Sequence, residues 1–492
     1  MSDLPPAVWR RGLPAALLVV AVAATLAAAA GIGVRSTYGA AAAVDEPQYL
    51  LSALSLAEDG DLDIADELAA RRWSPYADAQ PPVQTAARAD GRQLSPHDPL
   101  LPLLLAPAIA LGGWVAAKIQ LALLAGVVAA LALWLAVRRF AVPLPLAAAG
   151  VAIAATSAPL AVYGQQVYPE LPAALAVLVG IVAVTGRMHA GGLAVLTASV
   201  VALPWLSAKY VPVAAVLAAA GLVLLLRSGR ARAAALTAAG LGACAAAYVV
   251  VHRIVWGGWT VYASGDHFTA AGELSVIGTD PDYAGRSLRL VGLLVDRGYG
   301  LVAWQPAWLL AVPAVAALCR ARPRGWAALV VPLGVGWLVA TFPALTMHGF
   351  WWPGRQVVVV LPLAVIAVVW WLSRAPRPVL VAGLLLGLAG VATYAALLVD
   401  GWVGELTWVV GFEGVDDPLY AVRRLLLPDY RAGGSGLWIR HVAWVAAMGG
   451  LAVAGWRSAR PRPPDDPRVP FDPRPPSVRS SVPVTLLTGG SP

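Results

Sequence analysis

The chain has 492 residues, of which 59% are hydrophobic and 13% charged, with a mean hydropathy of +0.72. Soluble domains carry about 25% charged and roughly 45–50% apolar residues, so this is the composition of a membrane protein; it excludes a wholly disordered chain, collagen, a coiled coil and a secreted disulfide scaffold. The formal charge of +8 is not a nucleic-acid signal, because most arginines flank apolar runs, as membrane topology requires. Cys244 and Cys319 offer neither a disulfide framework nor zinc spacing.

Arg10 and Arg11 precede an apolar run over 13–34, long enough to cross a bilayer as an uncleaved first span, although the Ala-rich stretch through Ala30 leaves signal-peptide cleavage open. Further spans are predicted near 114–137, 143–163, 171–186, 192–206, 212–226, 233–256, 300–318, 326–345, 356–373, 378–399 and 438–456. The fold class is therefore all-α, a polytopic helical membrane protein of about twelve transmembrane helices. Arg138/Arg139, Arg187, Arg227/Arg230/Arg232, Arg320/Arg322/Arg324, Arg374/Arg377 and Arg457/Arg460/Arg462 then fall on one face with Arg10/Arg11. By the positive-inside rule that face is cytoplasmic, with both termini inside. Residues 98–137 are too many for one helix, and two full spans would reverse every later loop, so Pro99 to Leu111 is placed at the outer interface against the bundle. The polytopic domain covers 1–456, with residues 36–113 forming a first outer loop with interfacial helices; the remaining 457–492 hold ten prolines and read as a disordered cytoplasmic tail.

The outer face carries the residues suited to chemistry. Its first loop, 36–98, holds 11 of the 27 acidic residues against four arginines. Asp45 and Glu46 emerge just after the first span, followed by Tyr49/Leu50, Ala53/Leu54 and Leu56/Ala57, which predict a short amphipathic helix from Pro47. Held at the membrane surface, a partly desolvated carboxylate gains a raised pKa and strength as a base; the alternative is an acidic pair favoured only by the helix dipole. The run Glu58-Asp59-Gly60-Asp61-Leu62-Asp63 lacks EF-hand spacing and reads as a solvated acidic turn. His97-Asp98 closes the loop as a candidate for a metal or for orienting an acceptor. Glu170 follows Gln166 and Tyr168 at the outer start of a span, where it either serves function or caps a helix beginning near Pro169. Lys209, beside Tyr210, is one of two lysines in the chain, and Arg355 sits in a Gly/Pro-shaped loop behind Trp351-Trp352. With His252-Arg253, these cations are candidates for neutralising a phosphate; the alternative for Lys209 and Arg355 is snorkelling to lipid head groups.

Together these features resemble the GT-C superfamily of integral membrane glycosyltransferases, which includes protein O-mannosyltransferases and the aminoarabinose transferases of lipid A. The matching elements are Asp45-Glu46 with its Tyr-containing helix, the interfacial segment entering the second span, and Glu170 at an outer junction. The stretches Leu294-Val295-Asp296-Arg297-Gly298-Tyr299-Gly300 and Trp351-Trp352-Pro353-Gly354-Arg355 look like those of actinobacterial members. The chain departs from better-known members in its Pro-rich tail and in having Glu170 where many have Asp. The resemblance implies transfer of a sugar from a polyprenyl-phosphate donor to a hydroxyl of an envelope glycan, glycolipid or protein, on the outer side of a bacterial inner membrane. Asp45 would be the base of an inverting single displacement, with Glu46 and Glu170 orienting sugar or acceptor. Arg355, with Lys209 or Arg297, would hold the departing phosphate, and His97, Asp98, Gln166, Tyr168, Tyr210 and His348 would line the site. This reading names no certain cofactor, and a divalent metal is left open. A multi-span transporter or lipid flippase and a non-catalytic envelope-assembly protein are the alternatives; a carrier should place its charges near the midplane, whereas here they gather at the outer rim.

Overall fold

A computed structural model describes residues 6–85, 87–265, 277–278 and 280–460. The expected tail lies outside the described residues from 461 onward, as do residues 266–276. Among the described residues there are helices and isolated bridges but no strand.

The chain begins with α1 (Pro6–Ala30), followed by the short helices α2 (Glu46–Glu58) and α3 (Ala65–Ala69) of the first loop. The bundle continues through α4 (Leu100–Arg138), α5 (Leu144–Ala155), α6 (Leu160–Tyr163), α7 (Glu170–Val184), α8 (Ala190–Leu206), α9 (Val211–Arg227) and α10 (Ala231–Val255). Its later apolar helices are Ala311–Ala321, Trp326–Thr341, Leu361–Leu372, Arg377–Trp402 and Ser435–Ser458. An apolar helix falls in each of the twelve stretches expected from sequence; seven are long and apolar enough to cross a membrane and five are shorter, at 10–17 residues. The protein is a polytopic helical membrane protein.

Loops that precede and follow these helices join on one face. The backbone N–H groups of Trp408 and Val409 donate to the Arg35 and Ser36 carbonyls, Trp256 Nε1 donates to the Ser95 carbonyl, and the Arg297 N–H donates to the Pro428 carbonyl. From this face α1 and the last helix, Ser435–Ser458, each run for about 35 Å at 1.5 Å per residue.

The segment over 98–137 resolves at a glycine pair. Within α4, Gly112 and Gly113 leave helical geometry, Gly113 taking φ +64°, which separates 100–111 from 114–138 where the sequence had separated them. Gln120 Nε2 donates to the Leu104 carbonyl across the break, so the two arms fold toward each other. By contrast α2 does not present one apolar face to lipid: every residue from Glu46 to Ala53 is buried. Neighbours cover both its faces, and the amphipathic surface helix expected there is a packed one.

Packing is close where small residues meet, as in membrane interiors generally. A Cβ on Gly126 of α4 would lie 2.4 Å from Thr25 Oγ1 and 2.7 Å from the Ala21 carbonyl of α1. The Leu361–Leu372 helix is buried nearly all round and forms the centre of the bundle. Gly126→Ala should destabilise the protein by about 1–3 kcal/mol by overpacking, while Gly240→Ala, with open space around it, should be neutral; thermal unfolding of the purified protein in detergent compares the two.

Candidate active site

The site is built from the starts of helices. The segment Arg355–Val360 runs directly into the central Leu361–Leu372 helix, which makes Arg355 the end of the most buried element in the fold. Gly354 precedes it at φ +85°, a conformation glycine adopts without strain, and Leu301 packs so closely there that a Cβ would lie 2.7 Å from Leu301 Cδ2. The Arg355 guanidinium lies 4.1 Å from the Tyr168 ring centroid and 5.3 Å from that of Trp351.

Two carboxylates share this guanidinium. Arg355 Nη2 donates to Asp45 Oδ2 at 2.8 Å, and Arg355 Nε donates to Glu170 Oε1 at 3.0 Å. Lys209 Nζ reaches the same Glu170 oxygen at 2.6 Å. The cluster thus holds two carboxylates and two cations, and only Asp45 and Lys209 retain appreciable exposure, 18% and 25% of their side chains. The expected cation pair and the Asp45/Glu170 pair are therefore brought together. Glu170 is the first residue of α7, as the capping alternative required, but its carboxylate is spent on Arg355 and Lys209.

Asp45 is aimed by a strained turn. Val44 takes φ +60°, unusual for a β-branched residue and costing about 1–3 kcal/mol, and Gln84 Nε2 holds the turn by donating to the Val44 carbonyl at 3.2 Å and to Asp45 Oδ1 at 3.1 Å. Gln84 Oε1 in turn meets His97 Nε2 at 3.0 Å, and the His97 ring stacks on Tyr49. Burial alone would raise the Asp45 pKa, as the sequence suggested, but Arg355, His97 and Gln84 outweigh it and bring it down to about 2. Burial holds His97 below its ordinary value against the pull of Asp45.

Asp98 sits behind Lys209. Its Oδ2 accepts the Ala208 N–H at 3.1 Å and its Oδ1 accepts from the Tyr248 hydroxyl at 3.0 Å, with His252 Nε2 at 3.2 Å. It fixes the Ala208–Tyr210 turn that presents Lys209, whose ammonium also lies 5.2 Å from the Tyr210 ring centroid. Several buried polar atoms of this region have no hydrogen-bond partner: Glu170 Oε2, the Tyr168 and Tyr210 hydroxyls and both amide atoms of Gln166.

Three expected residues lie elsewhere. Glu46 points away from Asp45: Oε2 accepts from Ser36 Oγ at 2.6 Å and the Ala43 N–H at 3.1 Å, while Oε1 accepts the Val167 N–H at 2.9 Å and faces Lys118 Nζ at 3.3 Å. Arg297 pairs with Asp429 at 3.2 Å and His348 with Asp296 at 3.4 Å, in a polar cluster that ties the later loops together. Lys118 and Gln84 were not singled out from sequence. Lys118 carried a legible signal, a lone cation inside an apolar run. Gln84, a neutral amide in a polar loop, carried none.

Lys118→Ala should cost about 3–5 kcal/mol, because it leaves Glu46 buried without its cation, and Glu46→Gln added to Lys118→Met should recover much of the loss. Equilibrium unfolding in detergent measures both.

No family model and no curated protein matches the chain. Among solved structures it is similar to the crystal structure of ArnT from Cupriavidus metallidurans bound to undecaprenyl phosphate, at 18% identity over 92% of this chain and 77% of that one, with a TM-score of 0.43. An overlap that loose transfers neither residues nor activity, and the chemistry has to be argued from the ion cluster itself.

Proposed function

We propose that the protein is a membrane glycosyltransferase that moves a sugar from a polyprenyl-phosphate donor to an acceptor hydroxyl at the loop face, which is the outer face of a bacterial inner membrane with both termini cytoplasmic. The observation that carries the reading is the shared Arg355: a carboxylate able to take a proton, Asp45, is hydrogen-bonded to a guanidinium able to take a phosphate, with Lys209 beside it. Guanidinium and ammonium groups are the usual partners of phosphate oxygens.

An apolar cavity supports the lipid half of the substrate. It encloses about 510 Å³, within the size range of ligand pockets, and is lined by residues including Leu290, Leu301, Trp337, Leu361, Ala364 and Met448. Leu301 also packs against Gly354, and Leu361 follows Arg355 by six residues on one continuous helical run, about 12 Å at the rise of a 3₁₀ helix. Leu290 is exposed on the cavity wall, which suits entry of a chain from the bilayer. An isoprenoid tail lying there would bring its phosphate toward the cations.

In the reaction the acceptor oxygen attacks the anomeric carbon, its proton passes to an Asp45 oxygen, and the carbon–oxygen bond to phosphate breaks with the electron pair leaving on the phosphate. A single displacement inverts the anomeric centre. The departing lipid phosphate gains one negative charge, which Arg355 and Lys209 offset in a site largely closed to water. A phosphate that takes over Arg355 also releases Asp45 from the contact that depresses its pKa, so donor binding makes the base stronger. Glu170 Oε2, Tyr168, Tyr210 and Gln166, which lack protein partners, are the groups for sugar or acceptor hydroxyls. Each carboxylate is already paired with a cationic side chain, so the charge a divalent ion would supply is present as Arg355 and Lys209.

Asp45→Asn should lower transfer from a radiolabelled polyprenyl-phosphate sugar by about 10²–10⁴-fold, the usual worth of a positioned base, in protein expressed and folded as wild type. Undiminished transfer in both Asp45→Asn and Arg355→Ala would overturn the reading. The pH profile gives a separate check. With Arg355 in place Asp45 is ionised at all pH values well above 2, so kcat/KM shows no acid limb from it near neutrality. In Arg355→Gln the contacts to Arg355 no longer offset burial, so the Asp45 pKa rises and the acid limb should move up in pH.

A further inference from the structure

The opposite end of α2 carries a second acidic constellation. Asp59 caps the helix C-terminus, and α3 brings Asp66 and Glu67 back beside it, so that ligand oxygens of all three lie within 4.8 Å of one another. Asp59 and Asp66 are exposed, but Glu67 is 2% exposed, and neither of its carboxylate oxygens has a hydrogen-bond partner. The nearby Arg72 does not answer that need, because its guanidinium is engaged by both oxygens of Glu58 at 2.5 and 2.6 Å. An ionised carboxylate buried without a donor is costly, and two species relieve it: a proton or a cation. Two further carboxylates facing the same space favour the cation.

We infer that Asp59, Asp66 and Glu67 form a binding site for a divalent cation of the calcium class. Every donor is a hard carboxylate oxygen, with no histidine or cysteine in the group, which suits calcium over zinc. Donors that all lie within 4.8 Å of one another are close enough for one ion with Ca–O distances of about 2.3–2.6 Å to bridge them. The two exposed residues leave room for the waters that complete such a shell. A cation here also sits at the negative end of the α2 dipole. It would clamp the C-terminus of α2 to α3, steadying the helix whose N-cap is Asp45. The site stands independently of the proposed transferase activity.

The test is equilibrium dialysis of the full-length protein in detergent, stripped with chelator, against ⁴⁵CaCl₂ near neutral pH. One saturable Ca²⁺ per chain is expected, with affinity weakened about tenfold or more in Asp59→Asn, Asp66→Asn and Glu67→Gln, and unchanged in Asp90→Asn, an acid of the same loop paired with Arg92. CaCl₂ should raise the Tm of wild type and not of the three variants. Should Glu67→Gln fail to fold, the exposed Asp59 and Asp66 variants carry the measurement. Absence of saturable uptake, or uptake retained in Asp59→Asn and Asp66→Asn, overturns the assignment; Glu67 then holds a proton, and Glu67→Gln matches or exceeds the wild-type Tm without calcium.

Discussion

One guanidinium holds three distant parts of the chain in register. Arg355 grips the N-cap of α2 through Asp45 and the first turn of α7 through Glu170, while its own backbone leads into the central helix. An arginine can do this because its planar fork offers donors in several directions from one rigid group; a lysine at the same place would present a point charge. Burying two carboxylates near the edge of a bilayer is tolerable only when both are matched by cations, and Lys209 supplies the second. The architecture around the cluster follows from that balance: Asp98 holds the Lys209 turn and Gln84 holds the Asp45 turn, so neither charge is free to drift from its partner.

That balance also sets the chemical state of the resting protein. Asp45 is held as a weak base by the same residue that would bind the leaving group. Base and phosphate site are thus alternatives for one side chain, and a phosphate that displaces the carboxylate changes its proton affinity without any large movement of the backbone. The low dielectric around the cluster strengthens both contacts and makes the exchange between them energetically consequential.

Much of this was legible from sequence because charge is rare in this chain. Asp45, Glu170, Lys209 and Arg355 stand out against apolar neighbours, and the structure brings the four together. Length and the charge rule placed the division of 98–137 after Leu111, and the chain breaks there at Gly112-Gly113, where no ordinary residue suits the backbone that Gly113 adopts. Other features were not legible for physical reasons. The pattern of α2 read as amphipathic, yet a helix covered on both sides by its own fold has the same local periodicity as one lying on lipid. Arg297 and His348 lie in stretches of suggestive sequence, but their partners Asp429 and Asp296 draw them into the packing of the later loops. Val44 gave no warning of its left-handed backbone, since strain imposed by tertiary contacts leaves no mark on composition.

The acidic dipeptide at 45–46 is a case where order outweighs charge. All four donors around Glu46 come from elements other than its own helix, and reaching them takes the extra methylene of glutamate. Asp45, one residue earlier and one methylene shorter, sits on the other side of the chain facing Arg355. Substitution tables score aspartate and glutamate as near equals, and a comparison of relatives that aligned only a doubly acidic pair here would merge two residues with unrelated duties. The informative comparison is directional: whether a short acid precedes a long one, and whether a lysine recurs at the depth of Lys118 to receive the second.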